Sequence, residues 1–169
     1  SKVSTGANGL TESLKSATAP VWRMSVELPF APVDTVIRRN AGSLRVSAEA
    51  SEELARRIQS RGASLAIDAA KEATAEGRKT LMAEDFGVAS VPDKSPLELP
   101  IAPVDRIARL DIDDSYRVAM DARIALAEIL EAYADDVAAA AATLAHHAGR
   151  RTIKAEDIEA YFELAQYFE

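Results

Sequence analysis

The side chains that could do chemistry in this 169-residue chain are few, and most of them are charged. There is no cysteine, and the imidazoles are those of His146 and His147, so thiol nucleophiles and zinc fingers are excluded. The pairs Asp113-Asp114 and Asp135-Asp136 could bind metal or do acid–base work, but solvated charge on a loop and an exposed helix face is the favoured interpretation. No glycine-rich phosphate loop or Ser-His-Asp spacing is present. We therefore expect no enzyme activity, no metal site and no cofactor.

A basic motif that suits phosphate binding occurs twice. Gly77-Arg78-Lys79-Thr80-Leu81-Met82-Ala83-Glu84-Asp85-Phe86 returns 72 residues later as Gly149-Arg150-Arg151-Thr152-Ile153-Lys154-Ala155-Glu156-Asp157-Ile158. Basic and hydroxyl side chains, with neighbouring backbone N–H groups, can contact phosphate oxygens. Phosphate contact is therefore the chemistry that these residues suggest.

A second motif shows that the whole chain is a repeat. Glu27-Leu28-Pro29-Phe30-Ala31-Pro32-Val33-Asp34 returns 71 residues later as Glu98-Leu99-Pro100-Ile101-Ala102-Pro103-Val104-Asp105, with seven of eight residues identical. The displacement grows from 71 to 72, so one residue is gained between the motifs, where residues 40–44 face residues 111–116. Such a gain is typical of a loop.

Each copy is predicted to form a short, a long and a short helix. In the first copy, Pro32 at an N1 position opens a helix to about Arg39, Ser47 caps a helix over residues 48–75, and a short helix covers residues 83–90. The second copy has a long helix over about 120–148 and a third over about 155–168. A helix of roughly 28 residues would be about 42 Å long. Because its short neighbours cannot cover it, the long helix of the other copy is the expected partner.

The charge is unevenly distributed. The net charge is −7, with 9 basic and 10 acidic residues in 24–92 but 8 and 16 in 93–169. Arginine outnumbers lysine by 14 to 6. This pattern favours a protein that works in concentrated salt, where the Debye screening length shrinks to roughly 3 Å at about 1 M. An ordinary acidic cytosolic protein is the alternative. No apolar run could cross a bilayer, so we expect a soluble, intracellular protein with no membrane partner.

The two motifs and the helix pattern resemble archaeal histones over residues 27–168, and the repeat resembles the doublet histones of salt-loving archaea. The resemblance implies an all-α fold in which two tandem histone folds form an intramolecular handshake pseudo-dimer. The expected boundaries are a disordered or non-native extension over 1–23, a first fold over 24–91, a linker over 92–97 and a second fold over 98–169.

The resemblance also implies which residues contact double-stranded DNA. The basic residue and threonine of each loop motif match DNA-contacting positions of the family, and so do an arginine before each long helix and basic residues on the first helices. Minor-groove insertion of an arginine depends on groove width and not on base identity. The predicted DNA-binding residues are Arg38, Arg45, Lys79, Thr80, Arg106, Arg109, Arg117, Arg151, Thr152 and Lys154.

Two further sets of residues are implied by the family. Arg78 with Asp85 and Arg150 with Asp157 match its structural ion pair within each copy. Leu144, His147 and Asp157 match the contact through which histone dimers assemble, whereas the first copy has Glu72, Ala75 and Asp85 there. We therefore expect self-association through the second fold, with a dipole-favoured histidine at a helix end as the alternative for His147.

Two functions remain open. The first is a chromosome-associated cytoplasmic protein that binds or bends duplex DNA largely without sequence specificity. The acidic load of residues 93–169 motivates the alternative, a transcription regulator or protein-interaction module with weak or selective DNA binding and protein partners.

Overall fold

A computed structural model describes residues 25–91 and 96–168; the predicted extension over 1–23 and most of the predicted linker lie outside these ranges. The first half contains α1 (Phe30–Arg39), β1 (Arg45–Val46), α2 (Ala48–Ala75), β2 (Thr80–Leu81) and a 3-10 turn (Ala83–Phe86). The second half contains α3 (Ile101–Arg109), β3 (Arg117–Val118), α4 (Met120–His147), β4 (Thr152–Ile153) and α5 (Ala155–Ala165). The predicted all-α class and short-long-short order are confirmed.

The two halves are joined by strand pairs that cross between them. The pair β1 and β4 is parallel with Arg45 opposite Thr152, and β2 and β3 are parallel with Thr80 opposite Arg117. The start of α2 thus lies beside the end of α4, and the end of α2 beside the start of α4. The long helices therefore run antiparallel in a handshake made within one chain.

The interior is one shared core. Short helices α1 and α3 each pack against both long helices, as does α5. Buried apolar residues come from both halves, among them Val33, Ile58, Ile107 and Leu130, each fully inaccessible to solvent. Because burial of apolar surface is the main favourable term in folding, neither half can keep its long helix covered alone.

The long helices approach closely near their middles. Gly62 of α2 is buried, and a Cβ added there would lie 2.7 Å from Ile107 Cγ2 and 2.9 Å from Leu130 Cδ1. Ordinary carbon–carbon contacts are about 3.5–4.0 Å. A side chain at this position would therefore have to displace Ile107 and Leu130, so glycine is favoured here by packing and not by backbone conformation.

Several helices begin or end at residues other than the predicted ones. Helix α1 begins at Phe30, two residues before Pro32, because Pro29 occupies the N-cap position and the first turn tolerates a proline. The predicted helix over 83–90 is a 3-10 turn over Ala83–Phe86, and its C-cap is Gly87, whose φ of 79° is left-handed. Helix α5 ends at Ala165 and α4 at His147, slightly before the predicted ends. The Ser47 cap is confirmed, since its Oγ accepts a hydrogen bond from Ala50 N at 3.1 Å.

Equivalent buried polar residues hold the beginning of each half. Gln59 Oε1 accepts a hydrogen bond from Glu27 N at 2.7 Å, and Gln59 Nε2 donates to Ser25 O at 2.6 Å. Seventy-two residues later, Glu131 Oε1 accepts from Glu98 N and Leu99 N at 2.7 and 2.9 Å. The repeat therefore extends to side chains that fix the chain before α1 and α3.

The interpretation of Asp135 as solvated charge was wrong. Arg39 Nη2 donates to Asp135 Oδ2 at 2.6 Å and to Glu131 Oε2 at 3.0 Å, and Asn40 Nδ2 donates to Asp135 Oδ1 at 2.8 Å. The hydrogen bond from Arg39 holds the pKa of the Asp135 carboxyl below its ordinary value. These contacts tie α1 of the first half to α4 of the second.

Candidate nucleic-acid interface

The strand pairs bring the predicted loop residues together at two places. At the first, which we call the Arg45 end (residues 40–46 and 144–154), Arg45 N donates to Arg151 O at 2.9 Å and Ser47 N to Ile153 O at 3.0 Å. The residues around an open surface pocket there are Ser43, Leu44, Arg45, His146, Arg150, Arg151 and Thr152. His146 is a pocket residue that the sequence analysis missed, because its proximity to Arg45 depends on contact between the halves.

The second place is equivalent by the repeat, and we call it the Arg117 end (residues 72–82 and 111–118). Arg117 N donates to Lys79 O at 2.8 Å, and Ala119 N donates to Leu81 O at 3.0 Å. Thr80 lies opposite Arg117 in the parallel pair. Each end therefore combines a basic residue and threonine from one half with an arginine from the other.

The loop motif is held in shape by a partly buried ion pair in each half. Arg78 donates from both Nη atoms to the Asp85 carboxylate, at 2.8 and 2.9 Å, and the hydrogen bond from Arg78 lowers the pKa of that carboxyl. Arg150 makes the same paired contact with Asp157, whose residue is 1% exposed. Each aspartate also accepts from the backbone N–H three residues earlier, Met82 N or Lys154 N. The loops are thereby fixed before any ligand binds.

Apart from Lys79, the predicted DNA-binding cations fall into two groups. Within residues 25–91 and 96–168, Arg45, Arg117, Arg151 and Lys154 are exposed and have no salt bridge, so their charges face solvent. The helix arginines pair with carboxylates instead. These pairs are Arg38 with Asp34 at 2.5 Å, Arg106 with Glu27 at 3.0 Å and Arg109 with Asp105 at 3.1 Å.

Those helix pairs do not prevent contact with phosphate. The three arginine side chains are 40–58% exposed, and exposed ion pairs contribute only about 0–1 kcal/mol. A phosphate that offers comparable attraction can therefore exchange with the carboxylate. The unpaired loop cations nonetheless need no such exchange, which makes the loop ends the stronger part of the candidate interface.

Lys79 has a different environment from its counterpart Arg151. Its Nζ lies 4.5 Å from the centroid of the Tyr116 ring, and Tyr116 Oη is hydrogen-bonded to Thr74 Oγ1. Asp113 lies in the same loop as Tyr116. Hydrogen bonds from Ser115 lower the pKa of the Asp113 carboxyl, and the Lys79 charge lowers it further.

The predicted assembly residues lie in contrasting environments. Leu144 is half-buried in an apolar groove, whose lining residues are Ala140, Thr143, Leu144, Tyr161, Leu164, Ala165 and Phe168. His147 is exposed at the end of α4. Asp157 is buried and already accepts from Arg150 and Lys154 N, so its observed contacts are all within its own half.

The described part of the chain contains no candidate metal cluster and no candidate membrane-spanning helix. Among residues 25–91 and 96–168, no group of three or more histidine or acidic side chains could hold a metal ion. No helix in these ranges has the length and apolar character needed to cross a bilayer.

Antiparallel long helices, paired basic loops and short flanking helices define the histone fold, here formed twice by one chain. The family described as "Histone-like transcription factor (CBF/NF-Y) and archaeal histone" matches residues 26–89 and 97–160. The archaeal histone HAN1 of Thermococcus zilligii has a subunit that is 54% identical over 61 residues, which are 36% of this chain and 88% of that protein.

Solved structures agree with this assignment. The histone from Methanopyrus kandleri matches with a TM-score of 0.59 and 27% identity, over 78% of this chain and 91% of that one. A Thermus thermophilus protein matches with a TM-score of 0.60 over 85% and 99% of the two chains, but at 17% identity it supports the fold alone.

The chain belongs to the archaeal histone and histone-like transcription factor family, which matches it twice in tandem. It is accordingly a DNA-binding, chromosome-associated architectural protein and not an enzyme.

Proposed function

We propose that the chain binds duplex DNA through its two loop ends and bends it largely without reading base sequence. The observation that carries this proposal is the set of exposed, unpaired cations on pre-formed loops, namely Arg45, Arg117, Arg151 and Lys154. The net charge of −7 does not oppose it, because phosphate binding depends on local cations.

The expected lack of base readout follows from the same geometry. The loops present backbone N–H groups, threonine hydroxyls and arginines, which position a protein on phosphates and carry no sequence information. Any preference should therefore reflect how easily the DNA deforms.

The test is affinity for a mixed-sequence duplex of about 60 base pairs against potassium chloride concentration. The parent should show a negative slope of log affinity against log salt, and each phosphate contact contributes about 0.9 to that slope. The combined variant Arg45→Ala, Lys79→Ala, Arg117→Ala, Arg151→Ala should lose affinity and slope together. Lys71→Ala removes an exposed cation of α2 outside the loop ends and serves as the control.

Circular dichroism at each salt concentration establishes that every variant is folded. Fluorescence energy transfer between dyes on the two DNA ends measures bending, and AT-rich and GC-rich competitor duplexes measure sequence preference. If the folded parent binds no duplex at any salt concentration, DNA binding is refuted. The binding of protein partners to the acidic second half would then be the function to test.

We also propose that two chains associate through the second half. The groove beside Leu144 continues to exposed apolar side chains, with Leu164 46% and Phe168 85% exposed. The first half cannot form the same surface, because Glu72 replaces the leucine and a 3-10 turn replaces α5. The occupant most consistent with this groove is therefore the same groove of a second chain, which gives a closed pair.

Sedimentation equilibrium tests this association. Leu144→Glu, which places in the second half the residue present at the equivalent position of the first, should convert the pair to single chains. A parent that is a single chain at all concentrations, both free and on DNA, would refute self-association while leaving DNA binding untouched.

A further inference from the structure

The two loop ends are equivalent by the repeat but opposite in charge. The Arg45 end (residues 40–46 and 144–154) has four basic and no acidic residues. The Arg117 end (residues 72–82 and 111–118) has three basic and five acidic residues. The formal charge is therefore +4 at the Arg45 end and −2 at the Arg117 end. The two ends can be compared directly because they correspond residue by residue, apart from the one residue gained in the second copy.

At the Arg45 end, the carboxylates of Glu156 and Asp157 pair with Arg150 and leave the neighbouring cations without a salt bridge in the described chain. The loop over residues 40–44 has no charged side chain, and Arg45 and Arg151 have no salt bridge within the described ranges. Arg150 is occupied by Asp157, so it shapes the pocket while its neighbours face solvent. His146 lines the same pocket and offers an imidazole N–H beside the guanidinium groups.

At the Arg117 end, the lysine of the loop motif already has partners. Lys79 Nζ lies 4.5 Å from the Tyr116 ring centroid, a distance typical of a cation–π contact, and Tyr116 is held by Thr74. The equivalents of Tyr116 and Thr74 at the other end are Leu44 and His146, which cannot make these contacts.

The loop that contacts this lysine through Tyr116 is acidic, and the charge of its Asp113 interacts with Lys79. Asp111, Asp113 and Asp114 are all exposed in the loop before Arg117, and the ionised carboxylate of Asp113 is fixed by Ser115 N at 2.8 Å. Within a Debye length, about 10 Å at 0.1 M salt, these charges repel a phosphate as well as attract Lys79. The loop therefore interacts with Lys79 in place of a DNA phosphate.

We propose that DNA binding by this chain is polar: the Arg45 end binds phosphates with Arg45, Arg151 and His146, and the Arg117 end binds more weakly because Lys79 already contacts Tyr116 beside the aspartates of the loop. The proposal rests on the DNA binding proposed above and adds the direction in which the chain sits on the duplex. DNA is bound more tightly at the Arg45 end than at the Arg117 end, so the bend is asymmetric about the chain.

Matched double variants test the polarity in the full chain. Arg45→Ala with Arg151→Ala should reduce the slope of log affinity against log salt by about 1.8, the contribution of two phosphate contacts, and should lower affinity about tenfold to a hundredfold. Arg117→Ala with Lys79→Ala, the equivalent pair, should change the slope by no more than about 0.9, because Arg117 is the one cation of that pair that has no partner in the described chain. Equal losses from the two pairs would overturn the proposal.

A gain of binding gives an independent test. Tyr116→Leu copies Leu44, and together with Asp113→Asn it should release Lys79, so the slope should steepen by about 0.9. Circular dichroism shows that the variant is folded. An unchanged slope in the folded variant would show that the loop does not occupy Lys79, which contradicts the proposal.

The absence of cysteine allows the position of DNA to be read directly. Ser43→Cys and Ser115→Cys, at equivalent positions of the two loops, can each carry a tethered cleavage reagent. Strong DNA cleavage from position 43 and weak cleavage from position 115 is the expected result, and equal cleavage refutes polarity. If the parent binds DNA and cleavage from the two positions is equal, the proposed function stands and the polarity alone is refuted. If the parent binds no DNA at any salt concentration, the function and the polarity are refuted together.

Discussion

Replacement of Glu131 by alanine should strongly destabilise the fold. The Glu131 side chain is 8% exposed, and its Oε1 accepts hydrogen bonds from Glu98 N and Leu99 N, while Oε2 accepts from Arg39. It therefore links three segments: α4, the chain before α3, and α1 of the other half. Alanine would remove all three contacts at once.

The magnitude follows from the burial of each partner. Leu99 is 1% exposed, so its N–H would lose its acceptor without access to water, at about 1–3 kcal/mol. Glu98 is exposed and its N–H can bind water, and Arg39 keeps Asp135. Together with the loss of the charged hydrogen bond from Arg39, the free energy of unfolding should fall by about 2–4 kcal/mol.

Glu131→Gln distinguishes the contacts. Its amide oxygen can accept from Glu98 N and Leu99 N, as the amide oxygen of Gln59 does from Glu27 N in the first half. The free energy of unfolding should therefore fall by about 1 kcal/mol. Urea unfolding at fixed potassium chloride concentration measures each change, with Asp136→Ala on the exposed side of α4 as the control. A decrease below about 0.5 kcal/mol for the alanine variant, or equal decreases for both variants, would refute this reasoning.

Three further changes have defined expectations. The contribution of Asp85 to the free energy of unfolding should be complete above its ordinary pKa of 3.8 and lost as pH falls below that value, because Arg78 lowers the folded-state pKa. The difference in unfolding free energy between the parent and Asp85→Asn, measured by urea titration, should therefore shrink in acid. A difference that stays constant with pH would contradict this expectation. Gly62→Val should lower the unfolding free energy by about 2 kcal/mol because of the 2.7 Å approach to Ile107, and a stabilised variant in a thermal melt would disprove the close crossing. Ser47→Ala should lower the unfolding free energy by about 1 kcal/mol, and an unchanged melting temperature would show that the cap is not needed.

The sequence predicted those parts of the fold that depend on neighbouring residues. Ser47 and the long helix after it follow from capping and periodicity, and both were found in place. The β-branched residues of Thr80-Leu81 and Thr152-Ile153 favour an extended backbone, and these pairs form strands that place the candidate DNA-binding residues. Repetition of the motifs then predicted that the two halves pair.

The parts that could not be predicted depend on contacts between distant residues. Asp135 pairs with Arg39, 96 positions earlier, and the Lys79 contact with Tyr116 is made across the two halves. Periodicity gives no information on such pairs. A short helix was predicted over residues 83–90, but only the tertiary structure shows that it is reduced to a single 3-10 turn with Gly87 as its C-cap.

The strand pairs that cross between the halves have a consequence for how this protein can change over generations. In a homodimer with two-fold symmetry, each substitution occurs twice, and the two ends must remain alike. Here the partner is covalently fixed, so a substitution in one loop, such as tyrosine at position 116, alters one end and spares the other. Tandem fusion therefore lets the two ends diverge separately while the shared core keeps them assembled at any protein concentration.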